Sequence, residues 1–221
     1  MNYLDAFSYP IRRGGWIMIV LGAVFSVILD LLQKAPLFGL LVAIFGAGYF
    51  GSFYLSIINS TMIDRDEVPE WPDFSDFLSD ILSPLLRLIG LVVLSFLPAF
   101  VLLFFLDEDA VWPVVALGVA VLWGCFYFPM AVMATLAYGG LGAASPHIVL
   151  PGIIRSMPGY LLVVAALIVV AIISGVAESL AAGIPYVGWF IGAAVGFYGL
   201  MFQGRLIGLL YREKRDRLGW E

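Results

Sequence analysis

"PLFGLLVAIFGAGYFGSFYLSII", residues 36–58, holds no charged side chain in 23 positions. At about 1.5 Å of rise per residue, a helix of that length crosses the roughly 30 Å hydrocarbon core of a bilayer. The run lacks the strict alternation of a barrel strand. It is continuously apolar and rich in small residues, which fits a helix that satisfies its own backbone hydrogen bonds in lipid. Further runs of this kind lie at about Gly14–Leu32, Leu88–Leu106, Val111–Tyr138, Gly159–Leu180 and Pro185–Leu210, giving six spans in 221 residues. Composition agrees: 62% hydrophobic residues and 12% charged, with a mean hydropathy of +1.04, lie far outside the range of a soluble domain. The expected fold class is all-α, a polytopic membrane helix bundle. The first run begins about a dozen residues in and lacks a small-residue cleavage pattern before Asp30, so it is read as a retained span and not a signal peptide.

Basic residues set the orientation, because cytoplasmic segments retain Lys and Arg. Arg12, Arg13, Arg65, Arg87, Arg155, Arg205, Arg212, Lys214, Arg215 and Arg217 fall on one side of the six spans, and only Lys34 on the other. The expectation is a protein of the cell inner (cytoplasmic) membrane with both termini in the cytoplasm.

A unit of about 70 residues recurs three times. Each copy opens with proline and arginine ("PIRRGGW" from Pro10, "PLLRLIG" from Pro84, "PGIIRSMPGY" from Pro151), and its first span ends at acids: Asp30, Asp107 to Asp109, Glu178. A second proline follows at Pro36, Pro113 and Pro185, suited to the first turn of a new helix. The second span carries small residues every fourth position: Ala43, Ala47, Gly51; Ala116, Ala120, Gly124; Gly188, Gly192, Gly196. The expected organisation is a single integral membrane domain, 1–221, built of three repeated helical hairpins at about 4–63, 73–140 and 146–212. A short amphipathic cytoplasmic helix precedes each. The small-residue ladders let backbones approach closely where no hydrophobic effect drives association. Gly51, Gly124, Gly188, Gly192 and Gly196 are therefore helix-packing positions, on the second, fourth and sixth spans expected at the centre; the other use of three such seams, a pathway, would call for polar groups at mid-membrane depth.

Ionisable residues in or near hydrocarbon are weighed one by one. Asp30 and Glu178 sit near the outer ends of their spans and read first as interfacial caps or hairpin-turn acids. Arg205, in "MFQGRLIG", can snorkel to the cytoplasmic surface or pair with an acid of the second loop; the reading favours snorkelling. Arg13, Arg87 and Arg155 recur at equivalent positions at the cytoplasmic edge. Topological anchoring accounts for them, and contact with lipid phosphate is their candidate function.

Seven of the sixteen acidic residues crowd into "DRDEVPEWPDFSDFLSDIL", Asp64–Leu82. From Asp73 onward Phe74, Phe77, Leu78, Ile81, Leu82 and Leu85 recur at helical spacing, with Asp73, Asp76 and Asp80 opposite, predicting an amphipathic helix along the membrane surface. Anionic headgroups repel such a face. Burial of Trp71, Phe74 and Phe77 against the bundle is one means of holding it; docking of a basic partner on Trp71, Asp73, Phe74, Asp76, Phe77 and Asp80 is the other. The plainest use of the acids is a solvated face that keeps the loop in the cytosol.

"GSFYLSIINSTMIDRDEVPEWPDFSDFLSDIL", with Gly51, Pro69, Trp71, Asp73, Phe74 and Asp80, resembles the signature of the prokaryotic membrane proteins grouped as domain of unknown function 4013. Ser60 and Ile81 stand where members often carry arginine and glycine. The resemblance implies a multi-span membrane protein and no assigned chemistry.

No catalytic constellation emerges. His147 has no companion ligands for a metal, Cys125 beside Phe126 reads as packing, and "YGGLGAASPH" from Tyr138 lacks the Lys-Ser/Thr end of a phosphate loop. A net charge of −5 argues against nucleic acid. No cofactor is expected. The first functional expectation is a non-enzymatic accessory or structural subunit, with membrane lipids and a further protein or larger membrane complex as partners; the second is a transporter or lipid-handling protein. An intramembrane enzyme stands third.

Overall fold

The computed structural model describes residues 3–12, 14–35, 38–72, 77–104, 111–184 and 187–220, apart from the Val111 side chain. Among these residues the chain is helical and has no strand. It folds as α1 (Asp5–Ser8), α2 (Gly15–Gln33), α3 (Gly39–Met62), a π-helical turn (Leu78–Leu82) that runs directly into α4 (Ser83–Leu103), and α5 (Val111–Tyr138). A 3-10 turn (Leu141–Ala144), α6 (Pro146–Ser156), α7 (Gly159–Ala181) and α8 (Gly188–Leu218) complete it. Six of these helical stretches are long and apolar enough to cross a membrane. Residues such as Leu97, Val119 and Ile172 are half-exposed or more. Water would penalise that surface heavily, and lipid accommodates it. The protein is a multi-pass integral membrane protein with an all-α fold.

Two compact units form: residues 1–85 with 165–213, and residues 86–164 with 214–221. In the first, α3 and α8 are the inner pair, with 50% and 61% of their apolar windows buried against 22% for α2 and α7. Absent side chains explain their closeness. A methyl group at Gly208 would lie 2.4 Å from the Thr61 Cβ and 3.0 Å from the Ile58 carbonyl oxygen, and one at Gly204 would lie 3.0 Å from Ile57. Gly22 of α2 faces the Phe197 ring in the same way. Of the ladder positions read from sequence, Gly196 has the Glu178 carboxylate over it, Gly188 abuts the Ala181 carbonyl and Gly192 makes ordinary contact with Glu178. Gly51 is buried. Close α3–α8 approaches thus fall on Gly204 and Gly208, beyond the ladder.

After Met62 the chain doubles back along α3. Asp64 turns it, with φ of 63°, a left-handed conformation that aspartate tolerates better than most residues. Trp71 stacks on Tyr49 and Phe53 at 5.4 and 4.8 Å, and Phe77 on Phe45 at 6.2 Å. Ile81, buried to 1%, brings its carbonyl oxygen to within 3.3 Å of where a Gly48 Cβ would be. The surface helix expected from Asp73 onward therefore takes another form over residues 77–85: a π-turn and the start of α4, packed on α3 because Gly48 leaves room for backbone. Asp73, Phe74 and Asp76 lie outside the described residues.

In the second unit Gly124 of α5 accommodates the Phe96 ring, and Gly152 the Trp220 ring and the Met130 sulfur. The Tyr160 hydroxyl donates to the Phe126 carbonyl, and the Tyr127 hydroxyl to the Ala144 carbonyl at 2.6 Å.

Replacing Gly208 by leucine should force α3 and α8 apart and cost about 1–3 kcal/mol, the usual range for overpacking. Thermal unfolding in mild detergent measures it, and an unchanged midpoint would show that the seam has slack.

Candidate functional site

An arginine near the end of an apolar run must find anions or water. Apart from Gln203 and Arg205, α8 is free of charged and amide side chains through Leu210, and the Arg205 side chain is only 3% exposed. Its Nη2 donates to Asp5 Oδ2 at 2.9 Å and to Asp66 Oδ1 at 2.7 Å. Nη1 donates to Thr61 Oγ1 at 3.3 Å and to the Arg65 carbonyl at 3.4 Å. The Tyr9 ring lies 4.9 Å from the guanidinium carbon, a cation–π contact made stronger by the lack of water. Arg205 therefore pairs and does not snorkel, which corrects the preference drawn from sequence. The physical reason is reach: Asp66 comes back over the end of α3, and α1 supplies a second carboxylate beside it.

The pairs continue outward. Arg12 Nη1 donates to Asp5 Oδ1 at 3.0 Å; Arg212 Nη1 donates to Asp66 Oδ1 at 2.9 Å, and its Nε lies 2.6 Å from Asp64 Oδ1. The result is an alternating chain, Arg12–Asp5–Arg205–Asp66–Arg212–Asp64, of three cations and three anions. The hydrogen bond from Arg205 holds the Asp66 carboxyl below the usual carboxylate range, helped by Arg212 and opposed by partial burial. Burial pushes the Tyr9 phenol up to about 12 against the pull of Arg205, so it stays neutral and donates to the Glu67 carbonyl at 3.4 Å. The Phe7 ring lies 4.6 Å from the Phe202 ring, tilted by 45°, and the Phe7 carbonyl accepts from the Tyr198 hydroxyl at 2.8 Å. Residues 3–12 are thus fastened to α8, and residues 64–68 to both.

Beneath the network lies an apolar layer of Tyr9, Phe53, Ile57, Phe197 and Met201, with Val68 and Trp71 packed on it. Trp71 also stacks on Phe197 at 5.5 Å. Its indole N–H is buried with no hydrogen-bond partner among the described residues. At the far end of the same unit, Asp30 and Glu178 line a cavity of about 340 Å³ with Ser26, Phe50 and Trp189. Lys34 sits 4.1 Å over the Trp189 ring.

The other residues singled out from sequence are spread out. Asp80 accepts from the Ser79 hydroxyl at 3.0 Å. Arg155 is exposed and donates to the Leu218 carbonyl at 3.2 Å; Arg87 is half-buried. Arg13 lies outside the described residues. The sequence reading missed Asp5 and Tyr9 as partners of Arg205, and Arg12 and Arg212 as the cations that extend the network through Asp5 and Asp66. The only signal was Arg205 itself, a charge inside an apolar run, and its partner Asp5 is 200 positions away in the chain. Among the described residues no group of three or more His, Cys, Asp or Glu could hold a metal ion. Comparison with protein families, with curated proteins and with solved structures finds no match to this chain.

The network is asymmetric in burial, with Asp5 and Asp66 side chains 33% and 52% exposed. Replacing both by asparagine strands a buried cation and should cost about 3–5 kcal/mol. Arg205→Met leaves two carboxylates that water can reach and should cost less. Thermal unfolding of both variants gives the order, and the reverse order would mean that Arg205 acts chiefly by packing. Since folding holds Asp66 below its unfolded value near 4, its contribution is complete above that pH and is lost as pH falls through the lower folded value. A melting series downward from pH 6 should show this loss in the wild type and less of it in Asp66→Asn.

Proposed function

We propose that the protein is a non-enzymatic accessory or structural subunit of the cytoplasmic membrane, with both termini in the cytoplasm and three helical hairpins as its repeating unit. The observation that carries this reading is the internal neutralisation of the charge network: each carboxylate and guanidinium in it is held by another. Such a cluster fastens chain segments and leaves no group to serve as nucleophile or base. Arg12, Arg65, Arg205 and Arg212 gather at the end where residues 3–12 and 64–68 meet α8, which supports a cytoplasmic assignment of that end. The likeness of residues 51–82 to domain of unknown function 4013 implies a multi-span membrane protein with no assigned activity. In this reading the partner meets the acidic residues Asp73, Asp76 and Asp80, while Trp71 anchors their loop from inside.

A second reading, lipid handling, is favoured by one feature: a hollow of about 510 Å³ that opens against Arg205, Arg12 and Arg212.

Purification from native membranes in mild detergent, with mass spectrometry of the co-purifying chains, separates the two. The first reading predicts a stoichiometric partner chain lost on combined replacement of Asp73, Asp76 and Asp80 by alanine. A lone chain that keeps a selected phospholipid would replace it with the second.

A further inference from the structure

We infer that the hollow over Arg205 binds the head of a phospholipid that carries both a phosphodiester and a primary ammonium group. Two observations lead there. The hollow, about 510 Å³, is bordered by Arg12, Arg205 and Arg212 together with Asp5 and Asp66. Its floor is Arg205, a charged side chain only 3% exposed, whose Nη2 already holds Asp5 and Asp66.

Charge balance selects the ligand class. The network sums to zero, three cations against three anions. A simple anion entering the hollow meets Asp5 and Asp66, and a simple cation meets three guanidinium groups. A dipolar head satisfies both: its phosphate oxygens accept from Arg12, Arg205 or Arg212, for which the planar guanidinium is suited, and its ammonium donates to the free lone pairs of Asp5 or Asp66. A primary ammonium has three N–H donors for this, whereas a trimethylammonium has none.

Height selects the source. Arg205 comes 17 residues after Gly188, where α8 starts, or about 26 Å along the helix axis. That distance nearly matches the hydrocarbon thickness of about 30 Å, so a span that begins at one membrane boundary brings Arg205 to the headgroup level of the other. Leu4 and Leu209 line the same hollow and offer the apolar side that a glycerol backbone and its chains require. The inference goes beyond the proposed role and stands whether or not a protein partner exists.

The test is native mass spectrometry of the full chain in mild detergent, supplied in turn with phosphatidylethanolamine, phosphatidylcholine and phosphatidylglycerol. One phosphatidylethanolamine should remain per chain, with the other two held about tenfold less, the scale of one charged hydrogen bond. Arg12→Gln, at a side chain 66% exposed, and Arg212→Gln, at one 19% exposed, should each lower that retention about tenfold. Asp30→Asn, at the opposite end, should leave it intact. Equal retention by the wild type and both rim variants, or a preference for phosphatidylglycerol, would overturn the site. Displacement of the lipid by an equal concentration of soluble glycerophosphoethanolamine would overturn the lipid as its ligand.

Discussion

A guanidinium carried on an apolar helix cannot remain alone. Arg205 is nearly sealed from solvent, and the cost of isolating such a charge runs to several kcal/mol. The rest of the first unit is arranged around meeting that demand. α1 exists where Asp5 reaches Arg205; residues 63–68 fold over the end of α3 where Asp66 does the same. Two segments outside the six long apolar helices are thereby tied to the most buried of those helices. Tyr198, Phe202 and Tyr9 add contacts along the same line.

Below this polar end the logic reverses. The returning segment is held by aromatic rings, Trp71 between Tyr49, Phe53 and Phe197, then Phe77 on Phe45. Polar backbone within a membrane protein is tolerated where protein covers it. Gly48 supplies the cover for Ile81 by having no side chain of its own. The Trp71 N–H finds no partner among the described residues, a local cost set against three ring contacts.

Much of the architecture was legible in the sequence, because continuous apolar length is a strong signal. The five later spans and the first begin and end close to the expected runs; α8 continues to Leu218 past the expected Leu210, since Arg215 and Arg217 favour the negative end of a helix. The ladder glycines Gly188, Gly192 and Gly196 lie against Ala181 and Glu178 of α7, whereas Gly204 and Gly208, which the ladder did not include, meet Ile57, Ile58 and Thr61 of α3. Periodicity reports which face is small and not which neighbour arrives. The ion-pair network was the least legible part. Asp5 and Arg205 are far apart in sequence, and nothing local in "NYLDAFSYP" marks Asp5 as a partner.

The central claim is that one buried arginine fastens both the N-terminal segment and the loop after α3. Hydrogen–deuterium exchange of residues 3–12 and 63–68, compared between the wild type and Arg205→Met, tests it most directly. The account predicts that exchange rises in both segments together, while the middle of α3 stays protected. Faster exchange in only one segment, or in neither, would contradict it.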